Sequence, residues 1–199
     1  MTESAPHGAA SSTASDAELL AILAELGREV SSVLDLAALL ERIPQLISRL
    51  TKFTVFSVYL LDEQREELSI AYAVGYADEI VRHFTLQVGQ GIVGTAVAEQ
   101  RPILLNDVDS DPRYLAVVPG AKSQLVVPLR NKGKVIGALN LLSDKVGAFT
   151  ERDEWILRQF GAHVAQGIAT ARLFESEREY AETLETLAEI GREMTAILD

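Results

Sequence analysis

Residues 123–144 read SQLVVPLRNKGKVIGALNLLSD, and this stretch decides the fold. It contains two aliphatic runs with several β-branched residues, which favour extended backbone. The runs are joined by Asn131-Lys132-Gly133, in which Asn and Gly supply the chemistry of a tight turn. We therefore predict an antiparallel hairpin here, with its two strands side by side in a sheet.

Four more strand candidates lie upstream of this hairpin. Residues 53–61, FTVFSVYLL, and residues 67–76, ELSIAYAVGY, flank a polar cluster and form a second hairpin pattern. Two short candidates, residues 84–88 and 102–105, are separated by the helix-like run IVGTAVAEQ. Six strands joined largely as hairpins indicate a six-stranded antiparallel sheet in an α+β fold.

Helical patterns flank the strands on both sides. Asp35 is a candidate N-cap for the apolar stripe of residues 36–50, and Thr150 with Asp153 has the spacing of a capping box before a long helix. Beyond residue 174 the sequence becomes charged but keeps a heptad seam, which predicts a coiled coil with a second copy of the chain. A helix folded back on its own domain is the alternative. The seam consists of Tyr180, Leu184, Leu187, Gly191, Met194 and Leu198.

The predicted organisation has four parts. Residues 1–15 are small and polar and form a disordered tail, because they have little apolar surface to bury. Residues 16–35 form an N-terminal linker helix that begins after Ser15, and residues 36–175 form the globular domain. Residues 176–199 form a coiled-coil linker helix that leads to a next module.

A repeat supports the idea of a next module. Residues 24–35 read AELGREVSSVLD, and residues 188–199 read AEIGREMTAILD. When residues 18–35 are aligned with residues 182–199, ten of the eighteen positions are identical. Self-similarity at a long fixed spacing is typical of repeated modules. We therefore expect this chain to be one unit of a longer protein.

Composition excludes several classes of function. The formal net charge of −11 argues against a nucleic-acid partner, which needs clustered basic residues. No apolar run approaches the roughly 18 residues of a membrane span, and the first basic residue is Arg28, so we expect a cytoplasmic protein without membrane insertion. The sequence contains no cysteine, which removes thiol nucleophiles and thiolate metal ligands.

Five segments in order resemble a GAF domain, the small-ligand sensor module of phosphodiesterases, phytochromes and bacterial signalling proteins. They are VGQGIVGTAVAEQRPILLNDVDSDPRY, SQLVVPL, GKVIGALNL, AFTERDEWIL and AQGIATARLFE, and the resemblance covers about residues 36–175. It implies a GAF/PAS-like α/β sandwich, with the N- and C-terminal helices on one face of the sheet and a ligand pocket on the other. The six strands predicted above from residue patterns agree with this architecture, and they were inferred without the resemblance.

Polar residues in two places are candidates for ligand binding. The loop after the fourth strand, residues 106–114, concentrates hydrogen-bonding groups with one guanidinium and one aromatic ring, which suits recognition of a small polar molecule. The resemblance implies ligand contacts in this loop too. Polar residues within otherwise apolar strands either face the same cavity or are satisfied polar groups of the core, and the first two loop residues alternatively cap a short helix. The candidates are Asn106, Asp107, Arg113 and Tyr114 in the loop, and Ser57, Tyr59, Ser123 and Asn140 in the strands.

The sequence patterns that suggest a specific ligand are each incomplete. Residues 89–94, GQGIVG, match a dinucleotide fingerprint, but they do not open a βαβ unit, so we interpret the glycines as a tight turn into a helix. Phe149, Asp153 and Glu154 match half of the cyclic-nucleotide pattern of GAF domains, while Ser143 and Asp144 replace its Asn-Lys pair. Two histidines, at 83 and 163, do not form a metal ligand set, so no metal site is predicted. Bilin attachment and methionine-sulfoxide reduction are excluded by the absence of cysteine.

These observations predict a non-catalytic sensory or regulatory domain of a bacterial signal-transduction protein. It binds a small molecule or acts as a dimerisation module, and it relays change through coiled-coil helices to an output domain such as a phosphatase, kinase or cyclic-dinucleotide enzyme. The expected partner is a second copy joined through parallel helices, and no cofactor is identified. The alternatives are a purely structural dimerisation module and a cyclic-nucleotide-binding GAF domain. We expect no enzyme, because no nucleophile–base pair, metal cluster or phosphate-binding loop with lysine is recognisable.

Overall fold

The computed structural model describes residues 16–198, and within them the side chains of residues 21–187 and of residue 190. The predicted tail of residues 1–15, including Ser15, lies outside the described residues, and so do the side chains of Met194 and Leu198. The described chain consists of α1 (Asp16–Ser31), α2 (Leu36–Ile47), β1 (Val55–Asp62), β2 (Glu67–Val74), α3 (Asp78–His83), β3 (Thr85–Gln87), α4 (Gly91–Glu99), β4 (Ile103–Leu105), a 3-10 turn (Val108–Ser110), β5 (Ser123–Asn131), β6 (Lys134–Ser143) and α5 (Glu151–Leu198).

The six strands form one antiparallel sheet in the order β3-β2-β1-β6-β5-β4. The hairpin predicted from residues 123–144 is the pair β5 and β6. At its turn Lys132 and Gly133 have φ angles of 49° and 85°, and positive φ at both positions matches the twist of the flanking strands. The predicted six-stranded antiparallel sheet is confirmed.

Helices α2 and α5 pack on one face of this sheet, and α1 packs against α5 and α2 on the same side. Alternate residues of the central strands, such as Phe56 in β1 and Leu141 in β6, are fully buried against α2 and α5. Asp35 caps α2 by accepting a hydrogen bond from Ala38 N at 2.7 Å. Thr150 and Asp153 bond to each other's backbone N–H groups at 2.8 and 3.2 Å, which is the predicted capping box of α5. The predicted terminal helices on one face are confirmed.

The opposite face of the sheet is covered by α3, α4 and the loop between β4 and β5. A second apolar core lies there, formed by the remaining alternate residues of the strands and by α4. The GQGIVG segment turns the chain from β3 into α4, and Gly89 N donates to Gly94 O at 2.9 Å. A Cβ at Gly94 would lie 2.5 Å from Gln87 O, so the close approach of α4 to β3 requires glycine. Every strand pairing is antiparallel, which agrees with the rejection of a dinucleotide fingerprint.

Helix α5 continues well beyond the sheet. Its buried side chains end at Ala171, whereas Leu173, Tyr180 and Leu187 are 61%, 68% and 58% exposed. The helix passes the predicted domain boundary between residues 175 and 176 without a break. The long C-terminal helix is thus confirmed, and its distal half presents apolar side chains on its surface.

Candidate functional site

Strands β1, β6 and β5 place polar side chains side by side on the face opposite the terminal helices. Ser57 in β1 is directly opposite Asn140 in β6. Asn140 is in turn opposite Val126 in β5, so Gln124, two residues earlier, lies on the same face. Ser57, Asn140 and Gln124 are 0%, 2% and 4% exposed. The middle of the sheet therefore carries a buried polar row within an apolar layer.

Hydrogen bonds join this row into a chain. The amide nitrogen of Gln124 donates to Asn140 Oδ1 at 2.7 Å. Asn140 Nδ2 donates to Ser57 Oγ at 3.1 Å and to the hydroxyl of Tyr76 at 3.0 Å, and Ser57 Oγ donates to the same hydroxyl at 3.2 Å. Burial of amides and hydroxyls is tolerated when they are paired in this way. The chain fixes the orientation of both amide side chains.

Gln124 Oε1 is the exception. Among the described residues it is the one buried side-chain oxygen or nitrogen atom without a hydrogen-bond partner. An unpaired buried acceptor costs about 1–3 kcal/mol. Since the amide nitrogen of Gln124 already donates to Asn140, the oxygen needs a donor from outside this chain of hydrogen bonds.

Gln124 and Asn140 form the floor of a cavity with aromatic walls. Its volume of about 30 Å³ is room for little more than one water molecule. None of its lining side chains carries a charge at neutral pH, and four of them are aromatic. The lining residues are Tyr59, Tyr76, Phe84, Leu86, Gly91, Ile92, Val93, Tyr114, Leu115, Val117, Val118, Gln124, Asn140 and Leu142.

The hydroxyls of Tyr59 and Tyr114 stay protonated over the physiological range. Burial, with a smaller contribution from Tyr76, raises the pKa of Tyr59 far above its ordinary value. Burial also raises the pKa of Tyr114, and the nearby Tyr76 and Asp109 add to this effect. Both side chains can therefore donate a hydrogen bond inside the cavity.

Residues 115–121, LAVVPGA, cover the cavity, and we refer to them as the cover segment. Their one backbone hydrogen bond in the described structure is internal, from Val117 N to Leu115 O at 2.8 Å. The segment also covers a second cavity of about 100 Å³, and Val118 and Leu142 line both cavities. Few hydrogen bonds and partial exposure are typical of segments that open locally at low cost.

The structure brings together some of the candidate residues named from the sequence. Tyr59, Tyr114 and Asn140 line the cavity. Ser57 lies directly behind it, bonded to Asn140. Ser123 does not line it, because its hydroxyl donates to Lys145 O at 2.8 Å.

The other loop candidates lie outside the cavity. Asn106 is exposed, and Asp107 caps the 3-10 turn by accepting from Asp109 N at 3.1 Å. Arg113 is exposed and pairs with Asp111 at 2.6 Å. The hydrogen bond from this guanidinium lowers the pKa of Asp111 to about 2. The helix-capping alternative considered for Asn106 and Asp107 therefore describes Asp107.

Two residues at the centre of the site, Gln124 and Tyr76, were missed from the sequence. Gln124 is adjacent to the candidate Ser123, and only the register of the β5–β6 hairpin decides which of the two faces the cavity. Tyr76 lies just beyond β2 and reaches back over β1 to Asn140. The signal in the sequence was the position of each residue: Gln124 is a polar residue near the start of an apolar strand, and Tyr76 is an aromatic residue just after one.

The remaining motifs lie away from the cavity. Phe149 is buried on the helix side of the sheet, and Asp153 caps α5, so this half of the cyclic-nucleotide pattern serves the fold. His83 is exposed at the end of α3, and His163 is exposed on α5 with its ring against Gly27. In the described part of the chain, no group of three or more metal-ligating side chains comes together. None of the helices described is both long and apolar enough to cross a bilayer.

The chain matches a known class of domain. A family model described as GAF domain matches residues 33–169. Because this match covers more than half of the chain, the chain belongs to the GAF domain family, as the resemblance in its sequence had indicated.

Particular relatives are similar to this chain. GAF domain-containing protein A of Dictyostelium discoideum is 33% identical over 101 residues, which are 51% of this chain and 61% of that protein. Free methionine-R-sulfoxide reductase of Escherichia coli is 30% identical over 152 residues, or 74% of this chain and 88% of the reductase. The solved structure of the Neisseria meningitidis reductase with its substrate has a TM-score of 0.70 at 25% identity, over 81% of this chain and 95% of that one.

The prediction that this chain is not an enzyme is contradicted by these relatives. Two of the three proteins just named are enzymes, and both are matched over most of their length. The prediction rested on the absence of particular residue types from the sequence. Such an absence argues against particular reactions, but it does not test whether this fold can carry a catalytic site. Enzymes are therefore among the functions that this family carries.

Proposed function

We propose that this GAF domain binds a small organic molecule in the cavity beneath the cover segment. The observation that carries the proposal is the buried, unpaired Oε1 of Gln124 at the floor of that cavity. A ligand that donates a hydrogen bond to this oxygen offsets the cost of burying it. The Neisseria reductase, which has the same fold, was solved in complex with its substrate, and this adds support for a small-molecule site.

Binding requires the cover segment to move. The cavity of about 30 Å³ is too small for an organic molecule as it stands. Outward movement of Val118 joins it to the neighbouring cavity of about 100 Å³, because this side chain lines both. The cover segment has no described hydrogen bond to the sheet, so such movement breaks little.

A matched pair of variants tests the site. Val118→Phe places a larger side chain between the two cavities, whereas Val146→Phe makes the same change at a position that is 61% exposed and lines neither. We would record native mass spectra and thermal unfolding of the full chain with a metabolite panel that includes methionine-R-sulfoxide. A ligand at a hundred times its Kd stabilises the fold by about 2.7 kcal/mol.

We expect at least one molecule to be retained or to raise Tm in the wild type and in Val146→Phe, but not in Val118→Phe. The proposal fails if no molecule is retained and none raises Tm. It also fails if Val118→Phe responds as strongly as the wild type, since binding then lies elsewhere.

The distal half of α5 supports a second role, pairing with another copy of the chain. Leu173, Tyr180, Leu184 and Leu187 follow spacings of seven, four and three residues, and all are exposed. Such spacings keep side chains on one seam of a two-stranded coiled coil. We propose a parallel homodimer through this seam, in which displacement of α5 carries a signal from the cavity along the helix.

Sedimentation equilibrium of the full chain tests the dimer. Leu184→Glu places a charge in the seam, whereas Thr186→Glu places the same charge on the outer side of the helix. We expect a dimer for the wild type and for Thr186→Glu, and a monomer for Leu184→Glu. A wild-type monomer throughout the measured concentration range contradicts the proposal.

A further inference from the structure

We infer that the ligand of this cavity is an uncharged amide that presents an N–H donor to Gln124 Oε1, such as a lactam or another secondary amide. This inference rests on the proposed small-molecule binding and specifies the chemical class that the cavity accepts. It is carried by the polarity of the hydrogen-bond chain, by the lack of charge in the lining and by the aromatic walls.

The polarity of the chain fixes which atom Gln124 offers. Asn140 Nδ2 donates to the hydroxyl groups of Ser57 and Tyr76, and Asn140 Oδ1 accepts from Gln124. One N–H of Gln124 is thereby used, and its oxygen is the atom without a partner. A ligand that only accepts hydrogen bonds leaves this oxygen unpaired, whereas an N–H donor satisfies it.

The side chains of the lining do not neutralise a charged ligand. No charged side chain of the described residues lines the cavity, and Arg113, which is adjacent in sequence to the lining residue Tyr114, pairs with Asp111 outside it. A carboxylate or an ammonium group brought into this lining would lose its hydration without meeting a side chain of opposite charge. Free amino acids carry both groups at neutral pH, so a zwitterion such as methionine sulfoxide fits this lining poorly.

The remaining walls suit an amide of flat shape. Tyr59, Tyr76, Phe84 and Tyr114 line the cavity, and aromatic rings stack on planar groups. The hydroxyls of Tyr59 and Tyr114 are protonated and can donate to a carbonyl. A lactam carries both complementary groups, an N–H for Gln124 and a carbonyl for a tyrosine hydroxyl.

Pairs of probes that differ only in the N–H test this inference. We would titrate the ¹⁵N-labelled full chain with 2-piperidone and uracil, with N-methyl-2-piperidone and 1,3-dimethyluracil, and with methionine sulfoxide. The readout is the side-chain amide signal of Gln124, assigned by its loss in Gln124→Met. Gln166→Met makes the same change on the exposed surface of α5 and is the matched control.

We expect the N–H probes to shift the Gln124 signal and to bind at least about tenfold more tightly than their N-methyl counterparts. In Gln166→Met the preference persists. The affinities are compared on the wild type, so only the assignment of the Gln124 signal depends on the folding of Gln124→Met.

Three results overturn the inference. Equal affinity of the N–H and N-methyl probes shows that the cavity does not recognise an N–H donor. Tighter binding of methionine sulfoxide than of either N–H probe shows that the cavity accepts charge. In both cases the proposal of small-molecule binding in the cavity is retained, and only the inferred amide class of the ligand is wrong. If no probe shifts a signal from the cavity, the amide class fails, and the proposed function is judged separately by the retained-ligand and Val118→Phe measurements.

Discussion

Gln124 and Asn140 lie on neighbouring strands, and the amide nitrogen of Gln124 donates to the side-chain oxygen of Asn140 at 2.7 Å. This contact is the centre of the polar row, since Asn140 continues it to Ser57 and Tyr76. It links three strands and the segment after β2 on the cavity side of the sheet. The energetic cost of removing Asn140 should therefore be large.

Asn140→Leu should lower the free energy of unfolding by about 2–4 kcal/mol, because it leaves several buried polar groups without partners. Asn106→Leu is the matched control, since Asn106 is exposed, and it should change stability by no more than about 0.5 kcal/mol. Chemical denaturation of both variants measures the difference. Equal losses would show that the polar row contributes nothing specific.

The stability of the wild type should fall at alkaline pH, partly because of Tyr59. The phenol of an unfolded chain has a pKa of about 10, whereas burial and the neighbouring Tyr76 raise the pKa of Tyr59 in the folded protein. The contribution is fully present below pH 10, and above it the unfolded chain releases a proton that the folded protein retains. Each further pH unit then costs about 1.4 kcal/mol per such group.

Tyr59→Phe should therefore show a shallower loss of stability between pH 9 and about pH 11 than the wild type, as measured by urea unfolding at each pH. Tyr180→Phe is the control, since Tyr180 is 68% exposed, and its pH dependence should match that of the wild type. An unchanged slope in Tyr59→Phe would contradict the assignment to this side chain.

Two glycines of α5 should respond in opposite ways to the same substitution. A Cβ at Gly167 would lie 2.6 Å from Val30 Cγ1 and 3.4 Å from Val30 O, so Gly167→Ala pushes α1 away. We expect a loss of about 1–3 kcal/mol. A Cβ at Gly161 would make ordinary contacts of 3.4 Å or more, so Gly161→Ala should gain up to about 1 kcal/mol from helix propensity. Thermal unfolding distinguishes the two, and a gain in both variants would show that α1 is not held close to α5.

Removal of the N-terminal cap should weaken α5. Thr150 Oγ1 accepts from Asp153 N at 3.2 Å, and Thr150→Ala should cost about 1 kcal/mol. Thr183→Ala is the control, because Thr183 lies in the exposed middle of the same helix, where alanine is favoured over threonine. If the two variants lose equal stability in chemical denaturation, the capping box is not stabilising.

The fold was largely predictable from the sequence because its signals are local. The turn at Lys132-Gly133 and the caps at Asp35 and Thr150 depend on residues within a few positions of one another. The β-branched and aromatic residues within 53–61 and 67–76, on either side of a polar cluster, likewise locate strands β1 and β2. Each of these signals acts through short-range backbone conformation, so a single sequence is sufficient.

The cavity was less predictable because it depends on register. Continued evenly from the turn, the hairpin would pair Asn140 with Leu125 and put Ser123 on the face of Asn140. A bulge between Leu129 and Arg130 shifts the pairing by one residue, so that Asn140 pairs with Val126 and Gln124 takes that face. The sequence does not show this shift, so it does not tell which of Ser123 and Gln124 faces the cavity.

Arg113 shows a second limit of prediction. A guanidinium in a polar loop suggests ligand recognition, yet its nearest carboxylate is two residues away. Arg113 Nε and the backbone N–H of Arg113 both donate to Asp111 Oδ1, at 3.0 and 2.9 Å. A neighbour this close in sequence satisfies the arginine before any ligand does.

Strand β6 is buried on both of its sides. Asn140 points to the cavity, while the residues immediately before and after it, Leu139 and Leu141, are fully buried in the core formed with the helices. The cavity and the core formed with the helices are thus separated by the backbone of a single strand. A ligand that displaces the amide of Asn140 also displaces its chain neighbours Leu139 and Leu141, which lie in the core formed with the helices. We therefore expect ligand binding in the cavity to be coupled directly to the position of α5.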